Sequence, residues 1–180
     1  MFGYSAAAAS ADGNDSRLDE GSGDVGTMRV QLIATSNGLY QQAVELRERV
    51  LLKPIGYTAS KFAQEYPEVE QRGEHFVAVI DHPSGKRVVG TVCLLPNYPE
   101  RGIGKLTQMV VDEQRQREGL GRELVANLER RAFGELGLTG LFCHAQEAAA
   151  GFYRKMGWKQ VGEPFSEAGI RHYRMEFRPD

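Results

Sequence analysis

Two cysteines in 180 residues are too few to staple a small secreted scaffold. Cys93 and Cys143 each sit inside an apolar, strand-like run, which predicts buried thiols in a reducing compartment rather than a disulfide. No cluster of histidine and cysteine has zinc-site spacing, so no metal is expected. Positive charge is not in excess: 22 Lys and Arg face 24 Asp and Glu, a net charge of −2, which leaves no basic face for nucleic acid. No apolar run approaches the ~20 residues that span a bilayer. Nucleic acid and membrane are therefore not expected partners, and a cytoplasmic location is. Large apolar side chains are nearly missing from residues 1–26, "MFGYSAAAASADGNDSRLDEGSGDVG". That stretch cannot bury enough surface to offset its ordering entropy. It also lacks the basic start and apolar centre of a secretory signal. A flexible low-complexity leader, or a remnant of expression, is the expectation there.

The remainder is ordinary globular chain. The full 180 residues are 41% hydrophobic and 26% charged, which suffices for one domain over residues 27–180. "MRVQLIAT" reads as a strand. Asn37 can cap a helix running to about Leu51, with Leu39, Ala43, Leu46 and Val50 near one face. Pro54 and Gly56 end it, and "TASKFAQEY" reads as a short second helix. "HFVAVID" and "KRVVGTVCLLP" form a hairpin about "HPSG". "KLTQMVV" is a third strand. Leu120, Leu124, Val125, Leu128 and Ala132 then trace one stripe of a helix that ends near Gly137. "GLFCHA" is a strand, "EAAAGFYRKM" a helix, and "WKQVGEP" and "HYRMEF" are strands. Alternating strands and helices, interrupted by hairpins, predict a mixed α/β (α+β) fold. Its sheet is expected to be partly antiparallel, with helices on both faces.

The decisive stretch is "QMVVDEQRQREGLGREL". A strand runs into Gln116-x-x-Gly119-x-Gly121 and then into a helix. A helix N-terminus leaves about four N–H groups unpaired and carries roughly half a positive charge, so this is an anion site. It is not a Walker loop: "GIGKLT" at residues 102–107 lacks the first glycine, has Leu106 after Lys105, and leads into a strand. Nor is it a dinucleotide fingerprint, whose glycine order and parallel framework are missing.

The run "MVVDEQRQREGLGRELVANLERRA" resembles the acyl-CoA signature of the GCN5-related N-acetyltransferases (GNAT). That signature is a strand ending in V-x-V, four residues, and Gln/Arg-x-x-Gly-x-Gly/Ala opening a long helix. "CHAQEAAAGFYRKMGWKQVGE" resembles the family's second motif, here Ala149, Phe152, Tyr153, Gly157 and Trp158. "PFSEAGIRHYRMEF" is similar to the ElaA-like branch, whose members often end in Glu-x-Gly-Ile-x-His followed by Met. The resemblance implies a GNAT-type sheet splayed between two parallel strands. It also implies acetyl-CoA as co-substrate and a primary amine as acceptor, with direct attack in a ternary complex. By the same resemblance CoA is held by Met109, Val110 and Val111 through their backbone. Gln116, Arg117, Glu118, Gly119, Leu120, Gly121 and Arg122 then hold the pyrophosphate, with Gln146, Phe152 and Tyr153 beside the pantetheine. A homodimer stays open. The alternative within the fold is a catalytically weak acyl-CoA sensor or scaffold.

Tyr153 occupies the family's general-acid position, although Phe152 and Tyr153 also read as core aromatics. A free tyrosine (pKa about 10) protonates a thiolate (about 8.5) uphill by about 2 kcal/mol, so a hydrogen-bonding role fits better than full transfer unless the site lowers its pKa. Gln146 stands where many members carry Asn, and capping is its competing role. The base that deprotonates the amine is open among His172, Glu167, Glu74 and His75. His144, in "FCHA", reads as a satisfied core histidine.

Overall fold

The structure is a computed structural model describing residues 28–179, so the expectation for residues 1–26 falls outside the described part. In chain order the elements are β1 (Arg29–Ile33), α1 (Tyr40–Arg47), α2 (Ala59–Glu65), α3 (Pro67–Arg72), β2 (Glu74–His82), β3 (Gly85–Leu95), β4 (Ile103–Val111), α4 (Leu120–Glu129), β5 (Gly140–Gln146), α5 (Glu147–Lys155), β6 (Lys159–Glu167) and β7 (Ile170–Phe177). The strands form one sheet ordered β1-β2-β3-β4-β5-β7-β6. All pairs are antiparallel except β4 with β5. The predicted mixed sheet with helices on both faces is what the chain forms.

Alternation along the strands feeds two cores. Val89, Val92, Leu94, Leu106, Met109, Leu141 and Cys143 face α4 and α5, packing on Leu124, Leu128, Ala150 and Tyr153. Val77, Val88, Cys93, Leu95 and Val110 face α1, α2 and α3, packing on Leu46, Phe62 and Val69. The stripe read from the sequence for α4 is buried at every position, 3% exposed at Leu120 and 0% at Leu124, Val125, Leu128 and Ala132. Both cysteines are free and buried, and burial pushes the Cys93 thiol up to about 12.

Some local expectations fail for definable reasons. Asn37 does not cap the first helix: the N-cap is Leu39, which makes no side-chain capping bond, and Asn37 Oδ1 instead accepts from the Leu39 N–H at 2.9 Å in the turn that leads into it. The helix widens into a π turn over Glu48–Leu52, which shifts the phase of its stripe. Leu51 and Leu52 are therefore buried, and Val50 is only partly so, while Arg47, one regular turn after Ala43 and ahead of the π turn, is buried as well. A short helix, α3, follows α2 because Pro67 starts a new helix at its first position. Finally, β6 runs on through Glu167, and the turn to β7 is just Ala168 and Gly169, at φ 51° and 75°. Two left-handed residues make a tight hairpin turn of type I′ character. The last strand accordingly starts at Ile170, two residues before the predicted His172.

His75, on β2, is 2% exposed, and burial first, then the Arg47 charge, lowers its pKa to about 4. The unfolded chain takes up this proton near pH 6.5, whereas the folded chain waits until about pH 4. Stability from this group is thus full above pH 6.5 and is lost as pH falls toward 4, by about 3 kcal/mol. His75→Phe should flatten the dependence of urea midpoint on pH over that window, and an unchanged slope would refute it.

Candidate active site

The β4–β5 pair holds for three positions only: Ile103 with Gly140, Gly104 with Leu141, and Lys105 with Phe142. β4 continues to Val111 and β5 to Gln146 without further pairing. A wedge-shaped gap therefore opens in the middle of the sheet, and Met109, Val110 and Val111 line one side of it. Their side chains are buried at 1%, 0% and 6% exposure, which leaves the backbone of β4 as the surface offered to the gap.

At the wide end lies the glycine turn. Arg117 and Gly119 both have positive φ, 70° and 83°. Such residues fold successive N–H groups into a concave nest at the start of a helix. Gly119 is the N-cap of α4. A Cβ there would meet no atom within 4 Å, so its need for glycine is conformational. Gly121 is different: a Cβ there would come 3.1 Å from Met109 Cε and 3.4 Å from the Phe152 ring. Its missing side chain lets α4 pack down beside the gap. Leu120 anchors the turn in the core. Arg117 and Glu118 are exposed, as is Arg122, and Gln116 is half-buried. Glu118 is paired with Arg115 at 3.0 Å.

Tyr153 lies on the α4/α5 side, 0% exposed, and its hydroxyl meets no hydrogen-bonding group but the weak Cys143 thiol. Its ring rests edge-on to Phe152 and tilted on Trp158. Burial, and then the neighbouring Cys143 thiol, hold its pKa well above 10. The site thus raises this pKa, the opposite of what full proton transfer to a thiolate requires.

On the other face three side chains converge. β5 turns Cys143 to one side and His144 to the other. The tight Ala168–Gly169 turn brings Glu167 opposite, at 4% exposure, and His172 lies beside it at 2%. His144 Nδ1 is 3.7 Å from Glu167 Oε1, and His172 Nε2 is 3.9 Å from Glu167 Oε2. His144 Nδ1, Glu167 Oε2 and His172 Nε2 are all buried without a hydrogen-bond partner. His144 is therefore not a satisfied core histidine. Its ring meets Phe165 edge-on at 4.9 Å, and Phe165 stacks on His172 at 5.9 Å. His172 Nδ1 lies 2.8 Å from the Ile170 carbonyl oxygen, which can only accept, so Nδ1 carries the proton. In the neutral ring the lone pair is then on Nε2, facing the carboxylate. Burial, the leading effect, lowers the His172 pKa and favours that neutral form.

The chain matches the acetyltransferase (GNAT) domain model over residues 48–179. It belongs to the GNAT family. An uncharacterized N-acetyltransferase of Bacillus subtilis, YjcF, is 30% identical over 145 residues, covering 80% of this chain and 96% of that protein. Escherichia coli ElaA superposes with a TM-score of 0.66 at 17% identity, over 83% of this chain and 99% of its own. An acyl-CoA N-acyltransferase of Pseudomonas aeruginosa gives 0.66 at 18%, over 83% and 99%. At those identities the two structures speak for the fold. The family and the B. subtilis relative make this chain an acyl-CoA-dependent N-acetyltransferase.

Within this GNAT domain, the other sequence candidates separate cleanly. Glu74 is held by Arg131 through contacts of 2.7 and 2.9 Å and is engaged structurally. His75, with a pKa of about 4, is a feeble proton acceptor. Gln146 is the N-cap of α5 by position but makes no side-chain capping bond, so its amide is uncommitted to the helix. Sequence reasoning missed Lys105 and Gln108. Lys105 is the last paired residue at the closed end of the gap, 6% exposed, with Nζ 5.6 Å from the Tyr98 ring centre. Gln108 sits at a bulge where β4 has one residue more than β3, with φ 53°. Neither shows in composition or periodicity. Among the described residues no group of three or more His, Cys, Asp or Glu could hold a metal ion, and no helix is long and apolar enough to cross a membrane.

Proposed function

We propose that this enzyme, one catalytic domain over residues 27–180, acts in the cytoplasm and moves an acetyl group from acetyl-CoA to a primary amine by direct attack in a ternary complex. The observation that carries the reading is the facing pair of His172 Nε2 and Glu167 Oε2, both without partners and 3.9 Å apart. Two acceptors that face one another need a donor between them, and the N–H groups of an amine supply it. Across the gap, the Tyr153 hydroxyl, held by nothing stronger than the Cys143 thiol, is the matching donor for a sulfur acquiring negative charge.

The residues divide the work accordingly. Bound acetyl-CoA supplies the activated acetyl group and the leaving thiol. The nest at Arg117–Gly119 and the start of α4 receive the pyrophosphate, and the open edge of β4 pairs with the pantetheine amides. Backbone N–H groups near Val110 and Val111 polarise the thioester carbonyl. Glu167 holds the incoming ammonium, and neutral His172 removes its proton at Nε2. That removal is needed because a lysine-like amine, of pKa about 10.4, is only about one part in 10³ neutral at pH 7. The high pKa of Tyr153 keeps it a neutral phenol that donates to the departing sulfur.

Acetyl-CoA should therefore raise the melting temperature, since a ligand at a hundredfold excess over its Kd adds about 2.7 kcal/mol to the folded state. Addition of primary amines should then release free thiol and yield N-acetyl products by mass spectrometry. Stabilisation without thiol release from any amine would favour the acyl-CoA sensor. A larger shift with NADH would overturn the cofactor assignment.

A further inference from the structure

A cavity of about 210 Å³ opens beside Gln108 of β4, against α1, α2 and α3 on the sheet face opposite α4 and α5. Val44, Leu52, Ala59, Phe62 and Ala63 give it an apolar wall. Its two charged residues, Arg47 and Glu70, are paired with each other at 3.2 Å. Arg47 is 3% exposed and also donates to the Tyr40 hydroxyl at 3.2 Å. The cavity therefore offers no spare charge to a ligand. It does offer Gln108, which is 1% exposed and has neither its amide oxygen nor its amide nitrogen bonded to anything. Two buried amide atoms without partners are costly unless something completes them. The bulge explains the placement. The extra residue lets Gln108 point to the cavity face while Met109 returns to the opposite core. Gln108 also directly precedes the β4 backbone that lines the gap.

We infer that the acceptor is a small α-amino amide with an apolar side chain, the side chain filling the cavity and the amide pairing with Gln108. This rests on the acetyl-transfer reading above. An amide both donates and accepts, as Gln108 does. A polyamine would bring further positive charges to a cavity whose one carboxylate is already paired. A free amino acid would bring a carboxylate that can accept from Gln108 but cannot donate to it. The volume lies below the ~300–1,000 Å³ of sites for drug-sized ligands, so a single side chain fits.

The test compares leucinamide, leucine methyl ester, leucine, spermidine and a Leu-initiated tripeptide amide at pH 8, with kcat/KM expressed per free amine. Leucinamide should exceed leucine and spermidine by at least about tenfold, and the methyl ester, which lacks the N–H donors, by roughly tenfold. The tripeptide separates a free amide from a peptide N-terminus as the source of this chemistry. Gln108→Leu removes the reader but risks strain at positive φ. Gln108→Asn tolerates that backbone and shortens the reach. In either variant the leucinamide-to-ester ratio should fall to within about twofold. Preference for spermidine or leucine, or an unchanged ratio in a folded variant, overturns the inference while leaving acetyl transfer standing. No turnover of any amine overturns both.

Discussion

Replacing His172 with glutamine should lower kcat by roughly 10²–10⁴-fold, the usual cost of losing a positioned base. Glutamine keeps an amide that can donate to the Ile170 carbonyl, so the hairpin should survive. A melting curve checks this. The pH profile gives the sharper readout. Burial holds His172 below its usual 6.5, so the native enzyme should gain activity as pH rises through a value under 6.5, where Nε2 loses its proton, and then level off. In the variant no residue removes the proton, and the rate should follow the free fraction of the amine. That means about tenfold per pH unit, continuing toward the amine's own pKa. Glu167→Gln should instead act mainly on the KM for the amine, because the carboxylate holds the ammonium before its proton is removed. A His172 variant with unchanged kcat and an unchanged profile would return the ring to a packing role against Phe165.

Tyr153→Phe should lower kcat by roughly 10–10³-fold while the KM for acetyl-CoA moves little, since charge on sulfur exists chiefly in the transition state. The lower part of the range for acid catalysis applies because the phenol sits well above pKa 10 and donates a hydrogen bond instead of surrendering its proton. Removal of a buried hydroxyl whose partner is at most the weak Cys143 thiol should change the melting temperature little. Activity thus falls while stability holds. A thioester with a more acidic leaving thiol should lose less on the substitution, as it depends less on the donor. Equal kcat for the two proteins, with chemistry rate-limiting, would make Tyr153 a core aromatic like its neighbour Trp158.

These two residues differ in how far the sequence exposes them. Tyr153 is legible only through the resemblance of its helix to the family's second motif, since apolar spacing alone reads it as a core aromatic. The glycine turn follows from the preference of Gly119 for a backbone few other residues adopt, and there a local rule suffices. Glu167 reads as a loop residue because its neighbours Ala168 and Gly169 look like an ordinary break. Only the two-residue turn, with alanine itself at φ 51°, turns it into a buried strand-end carboxylate. His144 reads as core because its strand is apolar. What changes its meaning is Glu167, which arrives from more than twenty residues along the chain. Gln108 is harder still. A bulge inserts one residue into a ladder, and from that point the alternation that tells inside from outside changes phase. The π turn after α1 does the same to a helical stripe, which is why Leu51 and Leu52, and not Val50, are buried.

The opening between β4 and β5 has one more consequence. An unpaired strand edge normally invites self-association, because another chain can add to it along its whole length. The outer strand β6 discourages this in ordinary ways, with Pro164 and an irregular register between Val161 and Phe165. The inner edge needs no such guard. A polypeptide strand requires neighbours about 4.8 Å away along its full length, whereas diverging strands offer that width at one level only. A full-length peptide strand therefore cannot pair with both sides of the wedge at once. This protein can carry a row of open hydrogen-bonding groups at its centre without the aggregation risk that such a row brings at a sheet's rim.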